Sequence, residues 1–208
     1  MKILFLNGSP KISGSSSEKL IKDLCQKLGD SNEYIMSNAV RESAQIFLEK
    51  IRDVNALIIV FPFYGDGLPS HLLRLLYEVK DKIKHSSSEI MVYAIANNGF
   101  YEGEQNRLAL SMLQHFCVCA GIKWGQGIGI GAGGLISSAN VSIGVGPLKN
   151  IGLAFDVLSK NIQEKVVDED FFIRPNFPKF LYKITAHREM KSKVKKSGLG
   201  RKEILKRH

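Results

Sequence analysis

Short apolar runs alternate with longer stretches of helical period along most of the chain. NALIIVFP (55–62) is continuously apolar and rich in β-branched residues, as a central parallel strand must be. In 17–28, apolar residues recur three to four positions apart, which is the spacing of one helix face. The pattern predicts strands over 2–7, 33–36, 55–62, 89–97 and 123–131. It predicts helices over 17–28, 41–53, 70–83, 106–121 and 148–163.

Strands that alternate with helices in this way predict an α/β protein with a doubly wound, five-stranded parallel sheet. In such sheets the ligand lies beyond the carboxyl ends of the strands, where the strand order reverses. For the flavodoxin-type order 2-1-3-4-5, that point lies between strands 1 and 3. The informative loops are therefore those after strands 1, 3 and 4. They read GSPKISGSSS (8–17), PFYGDGLP (62–69) and NNGFYEGE (97–104).

The first loop is rich in serine and glycine and leads directly into a helix. A helix N-terminus presents free backbone N–H groups and the positive end of a dipole, so the loop predicts an anion site. It is not a Walker loop, because Gly8 and Gly14 are one residue too far apart and Ser15 stands where the lysine would be. A serine N-cap would account for only Ser16 or Ser17. We therefore predict a phosphate site with hydroxyl donors from Ser9, Ser15, Ser16 and Ser17.

The second and third loops combine glycine with aromatic and amide side chains. Phe63 and Tyr64 follow the central strand, and the glycines after them allow a turn whose backbone N–H groups can face a planar ligand. An aromatic pair at a strand end is also typical of core packing. Asn97, Asn98 and Gly99 open the third loop. Three such loops at one edge favour a cofactor with a phosphate and a flat heteroaromatic ring, and FMN has both.

Together these motifs resemble the flavodoxin-like NAD(P)H-dependent FMN reductases and quinone reductases. Those proteins have a G-S-P-[RK] loop before the first helix, a P-x-Y-x-x-x-x-P loop after strand 3 and a glycine-containing loop after strand 4. The resemblance covers residues 1 to about 135, and Ser16-Ser17 stand where many members have Asn-Thr. By this match the cofactor-binding residues are Ser9, Lys11, Ser15, Ser16, Ser17, Pro62, Phe63, Tyr64, Gly65, Asn97, Asn98 and Gly99.

The resemblance implies a flavodoxin-like fold, bound FMN and NAD(P)H as the electron donor. A hydride passes to the flavin, and the reduced flavin passes electrons to a small acceptor such as a quinone or free flavin. The cofactor supplies this chemistry, so no catalytic side chain is predicted. Relatives imply a homodimer. Two alternatives stay open, namely a flavodoxin-type electron carrier without NAD(P)H activity and a binding module that acts through the C-terminal tail.

The chain of 208 residues with 44% hydrophobic residues is long enough for one α/β domain plus an extension. The apolar run after Met1 is too short for a signal peptide, and no apolar stretch reaches the roughly 18 residues of a membrane span, so we expect a soluble, cytoplasmic protein. Cys25, Cys117 and Cys119 form no CxxC motif, and on a helix His115 shares a face with Cys119 but not with Cys117. We predict reduced, packed thiols and no metal.

Two further features, a G-x-G-x-x-G match and a pair of histidines, are not interpreted as binding sites. Gly129, Gly131 and Gly134 match G-x-G-x-x-G, but a polar, glycine-rich loop follows instead of the helix that a dinucleotide site requires. We expect this loop to lie over the cofactor mouth. His71 and His85, at the ends of the third helix, are expected to be solvated.

The net charge of +9 is concentrated in the last part of the chain. Residues 174–208 hold 12 Lys and Arg against two Glu, whereas residues 1–173 are nearly neutral. We therefore predict an FMN-binding domain over 1–173 and a basic amphipathic extension over 174–208, whose helix ends near Gly198 and Gly200. One interpretation is that its apolar side packs on the body or on a partner subunit while its charges are solvated. The other is that it docks on an acidic protein or an anionic surface, and nucleic acid is not expected.

Overall fold

Six parallel strands form one sheet in the order β2-β1-β3-β4-β5-β6. The computed structural model describes residues 1–11, 13–83, 89–139 and 141–196. The doubly wound parallel sheet is confirmed, and the predicted order is extended by one strand at the β5 edge. The strands are β1 (Lys2–Asn7), β2 (Glu33–Asn38), β3 (Ala56–Pro62), β4 (Met91–Asn97), β5 (Lys123–Ile130) and β6 (Phe171–Ile173).

Seven α-helices connect or follow the described strands. They are α1 (Ser16–Leu28), α2 (Ala44–Lys50), α3 (Ser70–Ile83), α4 (Arg107–Ala120), α5 (Gly134–Ser138), α6 (Lys149–Glu164) and α7 (Lys179–Lys196). Short 3₁₀ turns precede two of them, Gly103–Asn106 before α4 and Gly146–Leu148 before α6. The segment after β5, predicted to be a loop throughout, thus contains one short helix and one 3₁₀ turn.

Each face of the sheet has its own hydrophobic core, because successive side chains of a strand point to opposite faces. Leu4 and Leu6 of β1 belong to the core that packs against α2, α3 and α4. Ile3 and Phe5 belong to the core that packs against α1 and α6. β3 is buried along its whole length except for its last residue, as its continuously apolar sequence predicts. The sheet therefore holds the carboxyl ends of its central strands on a rigid frame.

β6 was not predicted, and it accounts for one of the glycines of β5. β6 is only three residues long, and Phe172 pairs in register with Gly129 of β5. A Cβ on Gly129 would lie 2.8 Å from Gly103 O and even closer to the Phe172 ring. The G-x-G-x-x-G pattern therefore includes a glycine required by close packing of β5 against its neighbours.

The chain divides into two compact units, Met1–Pro175 and Asn176–His208. The described part of the second unit consists mainly of α7, which confirms the predicted helix, while Gly198 and Gly200 lie outside the described residues. The predicted amphipathic pattern is weak, because at about 100° per residue Lys191 falls on the same face as Phe180 and Ile184. Within the described residues, no helix is both long and apolar enough to cross a membrane.

Candidate functional site at the carboxyl edge of the sheet

The loops after β1, β3 and β4 leave the sheet at one edge. Pro62, the last residue of β3, is in register with Asn97, the last residue of β4. Backbone pairing continues past the strands, since Phe63 N donates to Asn97 O (2.8 Å) and Asn98 N donates to Ile130 O (3.0 Å). β1 lies beside β3 in the same parallel sheet. The topology therefore brings the predicted phosphate loop and both predicted ring loops to a common edge.

The loop after β1 begins with a contact that requires glycine. A Cβ on Gly8 would lie 2.8 Å from both Leu72 Cδ2 and Phe61 Cβ. The Gly8 carbonyl accepts a hydrogen bond from His71 Nε2 at 3.0 Å, in the first turn of α3. The prediction that His71 is simply solvated was therefore wrong, because this half-buried side chain links α3 to the loop through a hydrogen bond. His85 lies outside the described residues.

Ser9 and Lys11 occupy different depths in this loop. Ser9 is only 3% exposed, and its N–H donates to Asn7 Oδ1 at 2.9 Å. Its Oγ accepts from Lys11 N at 3.2 Å, whereas the Lys11 side chain is exposed. Ser9 therefore shapes the loop from inside, and Lys11 places a cation on its outer surface.

The N-terminus of α1 retains the free donors that an anion site needs. Ser15 is the N-cap, and its Oγ accepts from Glu18 N at 3.0 Å. The sequence suggested Ser16 or Ser17 for this role, but the helix begins one residue earlier than predicted. The backbone N–H groups of Ser16 and Ser17 have no hydrogen-bond acceptor among the described residues, as expected in a first helical turn.

A carboxylate lies beside these donors. Glu18 Oε2 accepts from Gly14 N at 2.8 Å, three residues after the N-cap Ser15. This is a variant of the capping box, in which the glutamate reaches the residue before the N-cap instead of the N-cap itself. The arrangement stabilises the helix start, but it also places a negative charge next to any bound anion.

The loop after β3 is a tight two-residue turn. Tyr64 N donates to Gly67 O (3.3 Å), and Gly67 N donates to Tyr64 O (3.1 Å). Gly65 and Asp66 between them both have positive φ, 54° and 61°, as in a type I′ turn. Tyr64 is 51% exposed, whereas Phe63 packs against the core on the α3 and α4 side. Core packing therefore accounts for Phe63, and Tyr64 is the ring that stays accessible to a planar ligand.

The two asparagines that follow β4 differ in their hydrogen bonding. Asn98 Oδ1 accepts from Phe100 N (2.9 Å), and its Nδ2 donates to Glu102 O (3.1 Å), so this side chain shapes the loop. Asn97 is 6% exposed, and its Oδ1 has no partner among the described residues. A Cβ on Gly99 would meet nothing within 4 Å. The loop therefore has an unused buried acceptor at Asn97 and open space at Gly99.

The segment after β5 is bound to α1. Ser16 Oγ donates to Gly133 O at 3.4 Å, and Lys19 Nζ donates to Ile136 O (3.0 Å) and Val141 O (3.1 Å). Gly133 also approaches the Asn97 amide, since a Cβ there would lie 2.7 Å from Asn97 Nδ2. Lys19 was not identified from the sequence, because its acceptors are more than a hundred residues away along the chain.

The three thiols lie away from these loops and in different environments. Burial raises the pKa of the Cys117 thiol to about 12 and that of Cys25 to about 11. Cys119 is exposed, and its Sγ lies 3.5 Å from His115 Nε2, which confirms that the two share a helix face. The described residues contain no group of three or more His, Cys, Asp or Glu side chains that could hold a metal ion.

Comparison with known proteins identifies the fold. The sequence matches no protein-family model and no curated protein sequence. The structure is similar to an NADH:FMN oxidoreductase in its apo form, with a TM-score of 0.63 and 13% identity, over 79% of this chain and 89% of that one. A flavodoxin from Streptococcus pneumoniae TIGR4 is similar with a TM-score of 0.55 and 14% identity, over 80% of this chain and 100% of that one. An NADPH-quinone reductase from P. pentosaceus is similar with a TM-score of 0.56 and 11% identity, over 77% of this chain and 96% of that one.

These similarities agree with the strand order and with the edge at which the three loops meet. The resemblance inferred from the sequence motifs is thus confirmed at the level of the fold: the chain has the flavodoxin-like fold.

Proposed function

We propose that this chain binds FMN at the carboxyl edge of the sheet and passes electrons from NAD(P)H through the flavin to a small acceptor, such as a quinone or free flavin. The observation that carries the proposal is the combination, at one sheet edge, of free helix N-terminal donors with a buried acceptor that has no partner. A phosphate accepts hydrogen bonds, and a flavin ring has an N–H to donate. The phosphate of FMN therefore matches the donors at the N-terminus of α1, and the ring N–H matches the Asn97 acceptor.

The phosphate end is supported by the first turn of α1. The backbone N–H groups of Ser16 and Ser17 would bind phosphate oxygens, helped by the helix dipole. The Ser16 hydroxyl makes only a long hydrogen bond of 3.4 Å to Gly133 O, so it can be redirected at little cost. The exposed Lys11 would add a cation. Ser9 and Ser15 are buried and already bonded within the loop, so their role is to hold its shape.

The ring end is supported by the loops after β3 and β4. The unpartnered Asn97 Oδ1 can accept a hydrogen bond from a ring N–H, which would relieve the cost of leaving it buried and unsatisfied. The exposed Tyr64 can lie against the face of a planar ring. Gly65 and Gly99 have no neighbouring atoms where a Cβ would stand, so the ring can approach the backbone closely there.

When bound, FMN supplies the two-electron chemistry, so the protein has to bind and orient it and control its surroundings. The rigid sheet edge holds the two ring loops in register. The segment after β5, held to α1 by Lys19, lies next to both the phosphate loop and Asn97 and would limit access of water. Two of the similar structures are named as an NADH:FMN oxidoreductase and an NADPH-quinone reductase, which supports reduction by a nicotinamide donor. The homodimer and the cytoplasmic location stay predictions.

The test is reconstitution of the apoprotein with FMN and with riboflavin. We expect a Kd for FMN below about 1 μM, or about −8 kcal/mol. Changing both Ser16 and Ser17 to Ala should weaken FMN binding more than riboflavin binding, because only FMN carries the phosphate. Ser111→Ala, on the exposed surface of α4, is the matched control. Equal weakening of both ligands would exclude a contact between these two hydroxyls and the phosphate, and absence of FMN binding would refute the proposal.

A second measurement separates a reductase from an electron carrier. The FMN-loaded protein is mixed rapidly with NADH or NADPH, and the flavin absorbance is followed. Bleaching within a catalytic time range supports the reductase. A loaded protein whose flavin is reduced only by a chemical reductant would instead be a flavodoxin-type carrier.

A further inference from the structure

The second compact unit carries an exposed cationic helix. α7 spans 18 residues, which corresponds to about 27 Å. Its side chains Lys183, Arg188 and Lys191 are exposed. The whole segment 174–208 contains 12 Lys and Arg against two Glu. Such a concentration of charge creates a local field that attracts an anionic partner.

The same helix exposes large apolar side chains. Phe180 is 63% exposed, Ile184 44% and Leu181 36%. At about 100° per residue these three residues fall within an arc of about 100° in the first two turns. Arg188 and Lys191 fall within the same arc further along the helix. One face of α7 is therefore apolar towards its N-terminal end and cationic towards its C-terminal end.

We propose that this face of α7 docks on the surface of an anionic phospholipid bilayer. The boundary between headgroups and acyl chains accepts Phe, Leu and Ile side chains, while the phosphate groups above it attract Lys and Arg. Nucleic acid offers phosphate charge, but its backbone offers no apolar surface for Phe180 and Ile184. Because α7 is too polar to span the bilayer and its amphipathic pattern is short, the docking is peripheral and reversible.

The proposal is tested by flotation of the full chain with two kinds of vesicle. One kind contains phosphatidylcholine mixed with phosphatidylglycerol, and the other contains phosphatidylcholine alone. We expect the protein to bind the anionic vesicles only, and to be released by salt, because the attraction is screened.

Two pairs of substitutions test the two halves of the face. Arg188→Gln with Lys191→Gln should lower the partition coefficient about thirtyfold, since each basic residue contributes about a fivefold factor near such a surface. Phe180→Ser with Ile184→Ser should lower it by about tenfold or more. The matched control is Lys82→Gln with Lys160→Gln, which removes the same charge from exposed positions of α3 and α6 and should leave binding unchanged.

Three outcomes would overturn the proposal. The first is absence of binding to the anionic vesicles, or equal binding to the neutral ones. The second is an effect of the control pair as large as that of Arg188 and Lys191, which would mean that net charge alone is responsible. The third is loss of binding only with the charge pair, together with displacement of the vesicles by duplex DNA, which would assign the helix to nucleic acid. Thermal unfolding of every variant checks that the body of the protein is intact.

Discussion

At the residue scale, the chemistry of the carboxyl edge of the sheet depends on which polar groups already have a hydrogen-bond partner within the protein. Asn97 and Asn98 are adjacent and both buried, yet only Asn97 keeps an unpartnered oxygen. Ser15 is used as the N-cap, and this leaves the N–H groups of Ser16 and Ser17 for a ligand. Identical residue types thus have different roles because of their hydrogen-bond partners.

Glu18 is expected to weaken anion binding at this edge. Its carboxylate accepts from Gly14 N, so a negative charge lies beside the N-terminus of α1. Glu18→Gln keeps an oxygen acceptor for Gly14 and removes the charge. We predict that FMN binds about three- to tenfold more tightly at low salt, and that the gain shrinks as salt screens the interaction. Glu49→Gln, an exposed glutamate on α2, is the control, and an unchanged Kd for Glu18→Gln would contradict the prediction.

The thiols are expected to differ in reactivity. Cys119 is exposed, whereas burial raises the pKa of Cys117 to about 12 and that of Cys25 to about 11, so the last two stay protonated at neutral pH. We predict that iodoacetamide alkylates Cys119 first in the native protein and the other two only after unfolding. Mass spectrometry of the digested protein identifies the labelled residue. Cys119→Ser should remove the fast phase, and a fast phase that persists would show that Cys25 or Cys117 reacts in the folded protein.

At the element scale, two features position the loops of the candidate site. They are the parallel register of β1, β3 and β4, and the attachment to α1 of the segment after β5. The first follows from continuously apolar strands covered on both faces. The second depends on one side chain of α1, Lys19, which donates to two carbonyl groups of that segment. The segment is therefore bound to the same helix that forms the predicted phosphate site.

Removing the Lys19 ammonium should loosen this segment. In Lys19→Met the aliphatic stem is retained, but Ile136 O and Val141 O lose their donor. We predict that amides of 134–139 and 141–145 exchange with solvent about tenfold faster, as expected when two hydrogen bonds of modest strength are lost. Hydrogen exchange followed by mass spectrometry measures this. Lys22→Met, one turn away on the exposed side of α1, should leave the exchange unchanged, and identical protection in both variants would refute the role of Lys19.

At the scale of the whole molecule, the flavodoxin-like body and the basic extension are separate compact units. The body ends at Pro175, which is buried, and Arg174 O accepts from Asn150 Nδ2 at 2.9 Å. These contacts attach the last residues of the first unit to α6. All three loops of the candidate site belong to this unit.

A chain that ends after Pro175 should therefore fold and bind FMN like the full chain, but lose binding to anionic vesicles. A chain that ends after Ile173 lacks the Arg174 acceptor and the buried proline, and we expect it to be less stable by about 1–3 kcal/mol. Chemical denaturation of both truncated chains measures the difference. If the chain ending after Pro175 fails to fold or to bind FMN, the extension contributes to the body, and the two units are not independent.

Most of the architecture could be predicted from the order of the amino acids alone. Strand 2–7 and helix 70–83 have the predicted bounds, because a continuous apolar run and a 3.6-residue period are local signals that survive in the folded protein. The alternation of strands and helices predicted the doubly wound sheet, and the flavodoxin-like order then indicated the edge that carries the loops. Glycine, serine and asparagine after strands 1, 3 and 4 were sufficient to point to a phosphate-bearing ring cofactor.

Which groups at that edge are available, and what lies beside them, depends on the packing of the folded chain. β6 is too short to produce a period, and it forms because Gly129 lets Phe172 approach β5. Lys19 and its acceptors are distant in sequence, and so are His71 and Gly8, so no local pattern could relate them. Whether Asn97 keeps a free oxygen depends on every neighbour that could have bonded to it. Hydrogen-bond satisfaction is a property of the folded molecule, so the sequence could predict a candidate site at this edge but not which of its groups have no hydrogen-bond partner.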